Sequence, residues 1–168
     1  MPIKSKPVGT DRIDWKILRA LQNNGRMSIV DLAEQVGLSK TPCAERVRKL
    51  EANGLITGYQ ALVDPRAAGQ AHIAMVQVVM ARTTADSLDQ FNKAVRKIKQ
   101  VQCCFMIAGD FDYLLKIRTR DIDDYRRLMT DVIAHLPGVQ QTHTYVVMES
   151  VKDTGELLLD GPSAGGIA

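Results

Sequence analysis

Apolar residues recur along this chain in two rhythms. Up to about residue 53 the spacing is helical: Ile13, Ile17, Leu18 and Leu21, then Leu32, Ala33 and Val36, then Cys43, Val47 and Leu50. Each set carries its own start and stop signals. Asp11 precedes the first with Asp14 in its first turn, and Gly25 lies just past its end. Ser28 with Asp31 fits the S-x-x-D capping pattern of the second, which Gly37 ends. Ser39 or Thr41 caps the third, Pro42 falls in its first turn where a missing N–H is tolerated, and Asn53-Gly54 stops it. Three short helices with a Gly37-Leu38-Ser39 turn between the second and third predict a helix-turn-helix.

Beyond Gly54 the rhythm changes. Leu55 to Val63 is β-prone and ends at the turn pair Asp64-Pro65, which predicts a connecting strand and a domain boundary between Asp64 and Gly69. A strand-like run from Ala71 to Ala81 leads to a helix with Leu88, Phe91, Val95 and Ile98 on one face. A second run spans Val101 to Ala108, and the loop Gly109-Asp110-Phe111-Asp112 turns into a third, Tyr113 to Arg118. Asp121 caps a helix with the stripe Tyr125, Leu128, Met129, Val132, Ile133 and Leu136; Pro137-Gly138 breaks it, and Val139 to Met148 is the last strand.

The order β-α-β-β-α-β predicts a ferredoxin-like sheet of four antiparallel strands with both helices on one face. The expected class is α+β: an N-terminal three-helix domain with connecting strand over residues 1–64, a ferredoxin-like domain over 65–152, and a tail over 153–168 that is loose at its end. The run Ile73, Met75, Val76, Val78, Val79 and Met80 is apolar almost continuously. It predicts that the helix-free face is buried by a second copy, giving a homodimer at least.

Composition adds little to this picture, but charge does. With 45% hydrophobic and 24% charged residues in a chain of 168, disorder as a whole is excluded. The net excess of +3 sits in residues 1–65, which hold ten Lys/Arg against seven Asp/Glu. Off the apolar seam, the third helix carries Lys40, Glu45, Arg46, Arg48, Lys49 and Glu51, a mostly basic side. Such charges serve solubility on any surface helix; on the second helix of a helix-turn-helix they also suit the major groove of double-stranded DNA. Ser39, Lys40, Thr41, Pro42, Glu45, Arg46, Arg48 and Lys49 are the candidate DNA-binding residues.

Little here points to catalysis. His72, His135 and His143 lack metal-ligand spacing, the three cysteines contain no C-x-x-C pair, and neither a phosphate cradle nor a nucleophile elbow occurs. No catalytic residue, metal or cofactor is expected. No apolar run is long enough to span a membrane, and the cysteine usage suits a cytoplasmic protein with reduced thiols. In Gly109-Asp110-Phe111-Asp112, two carboxylates and a glycine between buried strands suit the ammonium group of a small zwitterion. The same residues also suit a plain Asx-type hairpin with Gly at positive φ.

Several segments carry a resemblance across both domains: Thr10-Asp11-Arg12-Ile13-Asp14, Gly37-Leu38-Ser39, Thr41-Pro42-Cys43, Glu45 to Glu51, Gly109 to Lys116, Leu136-Pro137-Gly138-Val139 and Thr144 to Glu149. From Thr10 to Lys152 the chain resembles the Lrp/AsnC family of feast-or-famine transcription regulators, more closely its leucine-responsive than its asparagine-responsive branch. The resemblance implies a bacterial regulator that is cytoplasmic and nucleoid-associated, binds DNA, and assembles from dimers into octamers or related rings. It implies an amino-acid effector bound between subunits, with Met106, Gly109, Asp110, Asp112, Thr144 and Val146 as the effector-binding residues. Met106 departs from the Leu of the leucine-responsive protein. Leucine, methionine, alanine, lysine, proline and glutamate all remain open as effector.

Overall fold

The computed structural model describes residues 9–159. The chain divides into two compact units: one formed by residues up to Leu62 together with those from Thr154, the other by Val63–Asp153. No helix among the described residues is long and apolar enough to cross a membrane.

The first unit holds α1 (Arg12–Asn23), α2 (Ile29–Val36) and α3 (Lys40–Ala52). Asp11 and Asp14 form a reciprocal capping box at the start of α1, each carboxylate accepting from the other residue's N–H. The Ser28 hydroxyl accepts from Asp31 N–H at 3.1 Å, and Gly37 ends α2 at φ 77°, with Leu38 N–H returning to Ala33 O. Ile17, Leu18, Leu32, Ala33, Val36, Cys43, Val47 and Leu50 close over one another as the core. Each helix is too short to persist alone in water, so this shared core holds them.

Arg46, one of the residues expected to face DNA, also helps to hold the unit together. Nη1 of Arg46, on α3, donates to Asp11 Oδ2 at 2.7 Å and to Asp14 Oδ1 at 2.8 Å, so it ties α3 to the capping box of α1. The N–H of Asp14, and Arg46 beside it, hold the Asp11 carboxyl below the usual carboxylate range.

The second unit holds β1 (His72–Met80), α4 (Ala85–Val95), β2 (Val101–Met106), β3 (Tyr113–Thr119), α5 (Ile122–Asp131), a 3₁₀ turn (Ile133–His135) and β4 (Val139–Val146). The strands pair antiparallel in the order β2-β3-β1-β4. Ala74, Val76, Val78 and Met80 of β1 and Tyr113, Leu115 and Ile117 of β3 form the core with Phe91, Val95, Tyr125, Leu128, Ile133 and Leu136.

Three expectations need correction. Leu55 to Val63 forms no strand, because a strand needs a partner to complete its ladder; Leu62 is 99% exposed. The β1 run alternates: Val76, Val78 and Met80 face the helices, leaving Met75, Gln77 and Val79 on the open face. Lys116 and Arg118 also lie on that face by register, and both pair with Asp153, so it is neither wholly apolar nor wholly bare. The α5 stripe breaks at Val132, whose φ of −124° ends the helix, and the 3₁₀ turn carries Ile133 and Leu136 into the core. The tail runs over α1 as far as Leu159; its end, expected to be loose, lies outside the described residues.

Two expected outcomes concern stability. Gly138 sits at φ +76°, where an added Cβ would come within 2.8 Å of Met80 Cε. Gly138→Ala should therefore lower unfolding stability in urea by about 1–2 kcal/mol, the usual penalty for a side chain in the left-handed region. Arg46→Ala leaves two carboxylates adjacent without their cation and should destabilise the first unit by about 1–2 kcal/mol at pH 7. Because the Asp11 carboxyl is depressed in the folded state, its contribution is present at neutral pH and fades as pH falls below about 4. The parent should lose that increment in acid, whereas Arg46→Ala should lose less of it; parallel pH profiles of the two proteins would contradict the pairing.

Candidate DNA and effector sites

The helix-turn-helix places Lys40, Thr41, Glu45, Arg48 and Lys49 on the exposed side of α3, opposite the Cys43-Val47-Leu50 seam. Ser39 stands at the N-cap but its hydroxyl makes no capping bond, and Pro42 occupies the first turn as expected. Among the described residues Lys40, Arg48 and Lys49 have no ion-pair partner, in contrast to Arg46. Arg46 is thus set apart from the other basic residues of α3. Its engagement spans 32 and 35 residues and has no local signature; the Asp11-x-x-Asp14 pair at the start of α1 was the only available hint. The α3 N-terminus adds partial positive charge from its unpaired N–H groups, next to Lys40 and the hydroxyls of Ser39 and Thr41. A surface with three unpaired cations, two hydroxyls and a helix N-terminus can hold phosphates and present side chains to base edges.

In the second unit the loop from Ile107 to Asp112 is closed by backbone bonds. Ile107 N–H donates to Asp112 O at 2.8 Å, and Asp112 N–H to Val78 O at 3.0 Å. Asp112 Oδ2 also accepts from Met80 N–H at 2.7 Å, beside the register shift between β1 and β4 at Val79/Met80. This carboxylate therefore has a structural task, as the hairpin alternative required, while Oδ1 has no partner among the described residues. Gly109 is not at positive φ, and a Cβ there would meet only Ile107 Cγ2 at an ordinary 3.7 Å. Nothing in its own chain requires a glycine at 109. Asp110 is exposed.

The remaining predicted effector residues do not gather around this loop. Met106 pairs with Tyr113 on β2, one edge of the sheet, while Thr144 and Val146 pair with Val76 and Ala74 on β4, the other edge. Three strand spacings separate those edges, about 14 Å. Met106 and Val146 are 57% and 50% exposed, and the Thr144 hydroxyl is bonded to Tyr125 Oη at 2.5 Å. One copy of the chain therefore does not assemble these residues into a single site.

Groups of other kinds serve the framework. His72 Nδ1 lies 2.9 Å from Thr119 Oγ1, with its ring against Tyr125. Burial pushes the Cys43 and Cys104 thiols up, away from the reactive thiolate. Among the described residues no three His, Cys, Asp or Glu side chains converge to hold a metal ion.

Comparison with known proteins agrees with both halves of this geometry. Residues 10–57 match the winged helix-turn-helix DNA-binding family, and residues 73–157 match the Lrp/AsnC ligand binding domain. The chain is 52% identical over 145 residues to a proline dehydrogenase transcriptional activator of Rhizobium radiobacter, covering 86% of this chain and 93% of that one. It is 48% identical over 149 residues to the leucine-responsive regulatory protein of Escherichia coli K12, covering 89% and 91%. Among solved structures, a transcriptional regulator of Neisseria meningitidis in complex with L-Met superposes with a TM-score of 0.84 at 34% identity, over 90% of this chain and 97% of that one. An AsnC family regulator of Agrobacterium tumefaciens superposes with a TM-score of 0.85 at 35% identity, over 90% and 98%. With a DNA-binding and a ligand-binding module in this order and relatives that regulate transcription over nearly the whole length, the chain belongs to the Lrp/AsnC family: it is a DNA-binding transcription regulator, not an enzyme.

Proposed function

We propose that the protein controls genes of amino-acid metabolism or transport as a dimer-based assembly whose DNA binding responds to an amino acid held between copies. The observation that carries this reading is the placement of Met106 on one sheet edge and of Thr144 and Val146 on the other. A pocket containing all three needs a second subunit, so occupancy and assembly would be thermodynamically linked. Two further features support self-association. Phe105 and Tyr145 leave large aromatic surface on the open sheet face, and Leu62 and Val63 leave apolar surface on an unpaired segment. The assembly is proposed to be an octamer or related ring, located with the nucleoid in the cytoplasm. The crystallised Neisseria relative is complexed with L-Met, which makes methionine the first effector to test.

On DNA, Lys40, Arg48 and Lys49 are proposed to neutralise phosphates, with Ser39 and the α3 N-terminus supplying further phosphate contacts. Thr41, Pro42 and Glu45 would then lie near the base edges, and Arg46 would position α3 through Asp11 and Asp14. At the effector site, Asp112 would bind the ammonium group through Oδ1 while Oδ2 keeps Met80 N–H. Asp110 would add negative charge, and the side-chain-free Gly109 would allow close approach.

Fluorescence anisotropy on the gene's own upstream DNA against a scrambled duplex, with each amino acid in turn, tests the whole reading. Selective binding shifted by one amino acid is expected; equal weak binding to both duplexes would refute it. Arg48→Ala should weaken specific binding by about 1–3 kcal/mol and make it less salt-dependent, and unchanged affinity at matched salt would remove Arg48 from the interface. Asp112→Asn keeps an acceptor for Met80 N–H but loses the charge. It should leave stability nearly unchanged and weaken effector binding by about tenfold or more, as expected for a charge-assisted bond. Equal affinity by calorimetry would exclude Asp112 as the ammonium partner.

A further inference from the structure

The stretch Thr154–Leu159 has no secondary structure of its own, yet the helix-turn-helix unit holds it by its backbone. The Gln22 carboxamide reads Leu157 in both directions: Nε2 donates to Leu157 O at 2.8 Å, and Leu157 N–H donates to Oε1 at 3.1 Å. One turn earlier on α1, Arg19 Nη1 donates to Leu159 O at 3.0 Å. The Leu159 side chain packs on the core of the unit, at a groove of about 490 Å³ between α1 and residues 55–59. Trp15, Leu18 and Leu21 form one wall of this groove, and Ile56 and Tyr59 the other. The Tyr59 ring lies close enough to Gly25, just past α1, that a Cβ there would sit 3.3 Å from it, and its hydroxyl donates to Glu51 at 2.9 Å, so the second wall is itself tied to α3.

A side-chain amide that satisfies the N–H and C=O of one residue acts as a neighbouring strand would, and an apolar anchor two residues on sets the register. Leu157 and Leu158 remain largely exposed, so recognition is of backbone and of one side chain. The chain crosses between its two units twice, at Leu62/Val63 and at Asp153/Thr154. The first crossing runs through an irregular segment with no ladder; the second runs directly into the Gln22 clamp.

We propose that Thr154–Leu159 is a latch on the DNA-binding unit: a reversible second tether, with Gln22 and Arg19 as its catch and Leu159 as its anchor, that restricts the orientations this unit samples. Three solvent-accessible hydrogen bonds and one leucine make it a low-stability element that opens under native conditions. Resting on the reading of a dimer that binds paired half-sites, the closed latch favours simultaneous engagement of two units, because it raises the effective concentration of the second unit once the first has bound.

Hydrogen exchange on the full-length protein tests the latch itself. In the parent, the Leu157 amide should exchange at least about tenfold more slowly than in a free peptide of the same sequence, as expected for a locally opening segment. Both Gln22→Ala and Leu159→Asp should abolish that protection, the latter without touching any residue of the three helices. Free-peptide exchange in the parent would overturn the proposal. DNA affinity tests its role: in either variant, affinity for a duplex with two half-sites should fall by about tenfold, with a single half-site bound as in the parent. Parental affinity for the two-site duplex in both variants would overturn that role. Failure of the parent to bind either duplex would instead count against the DNA reading, and exchange at Leu157 would still decide whether the latch exists.

Discussion

Two helices cover one face of a four-stranded sheet and cannot cover both, and this shortage governs the second half of the molecule. Helices α4 and α5 bury Ala74, Val76, Val78 and Met80 on β1 and their neighbours on β3, and the core is complete on that side alone. What remains is the opposite face, with Phe105 and Tyr145 beside Lys116 and Arg118, and the two outer strands with Met106 on one and Thr144 and Val146 on the other. The exposed face and the divided set of predicted effector residues are two results of the same geometry. In the proposed function a second copy would remedy both, which would couple ligand binding to self-association.

The first unit works under a different constraint. Its three helices are short, and its small core is supplemented by an ionic tie from Arg46 to the Asp11–Asp14 box. That tie engages one basic residue of α3 in fixing the helix that carries the others. Among the described residues the other cations of α3, Lys40, Arg48 and Lys49, have no ion-pair partner.

Most of the element order was legible from periodicity and caps, because those signals are local. Asp11, Ser28, Gly37 and Asp121 sit where they were expected and do what was expected of them. What local signals left out shares one cause: it depends on what a residue meets far along the chain. Leu55 to Val63 has strand composition but no strand to pair with. Arg46 looked like its neighbours because carboxylates 32 and 35 residues away leave no trace in helical spacing. Gln22 carried no signal, since its partner Leu157 lies 135 residues on. At Asp112 the sequence allowed both a hairpin task and a ligand task; the bond to Met80 N–H establishes the first on one oxygen and leaves the other for the proposed ligand.

The Arg46 tie also alters what counts as the portable part of a DNA reader. A recognition helix grafted from one regulator to another is usually thought of as carrying its specificity in the residues that point outward. In this protein the pose of that helix is written in part at the start of α1, in two aspartates that belong to a different segment of sequence. Residues Asp11 to Asn53, rather than α3 alone, are therefore the exchangeable cassette, and a chimera that divides them would separate the reading head from the instruction that aims it.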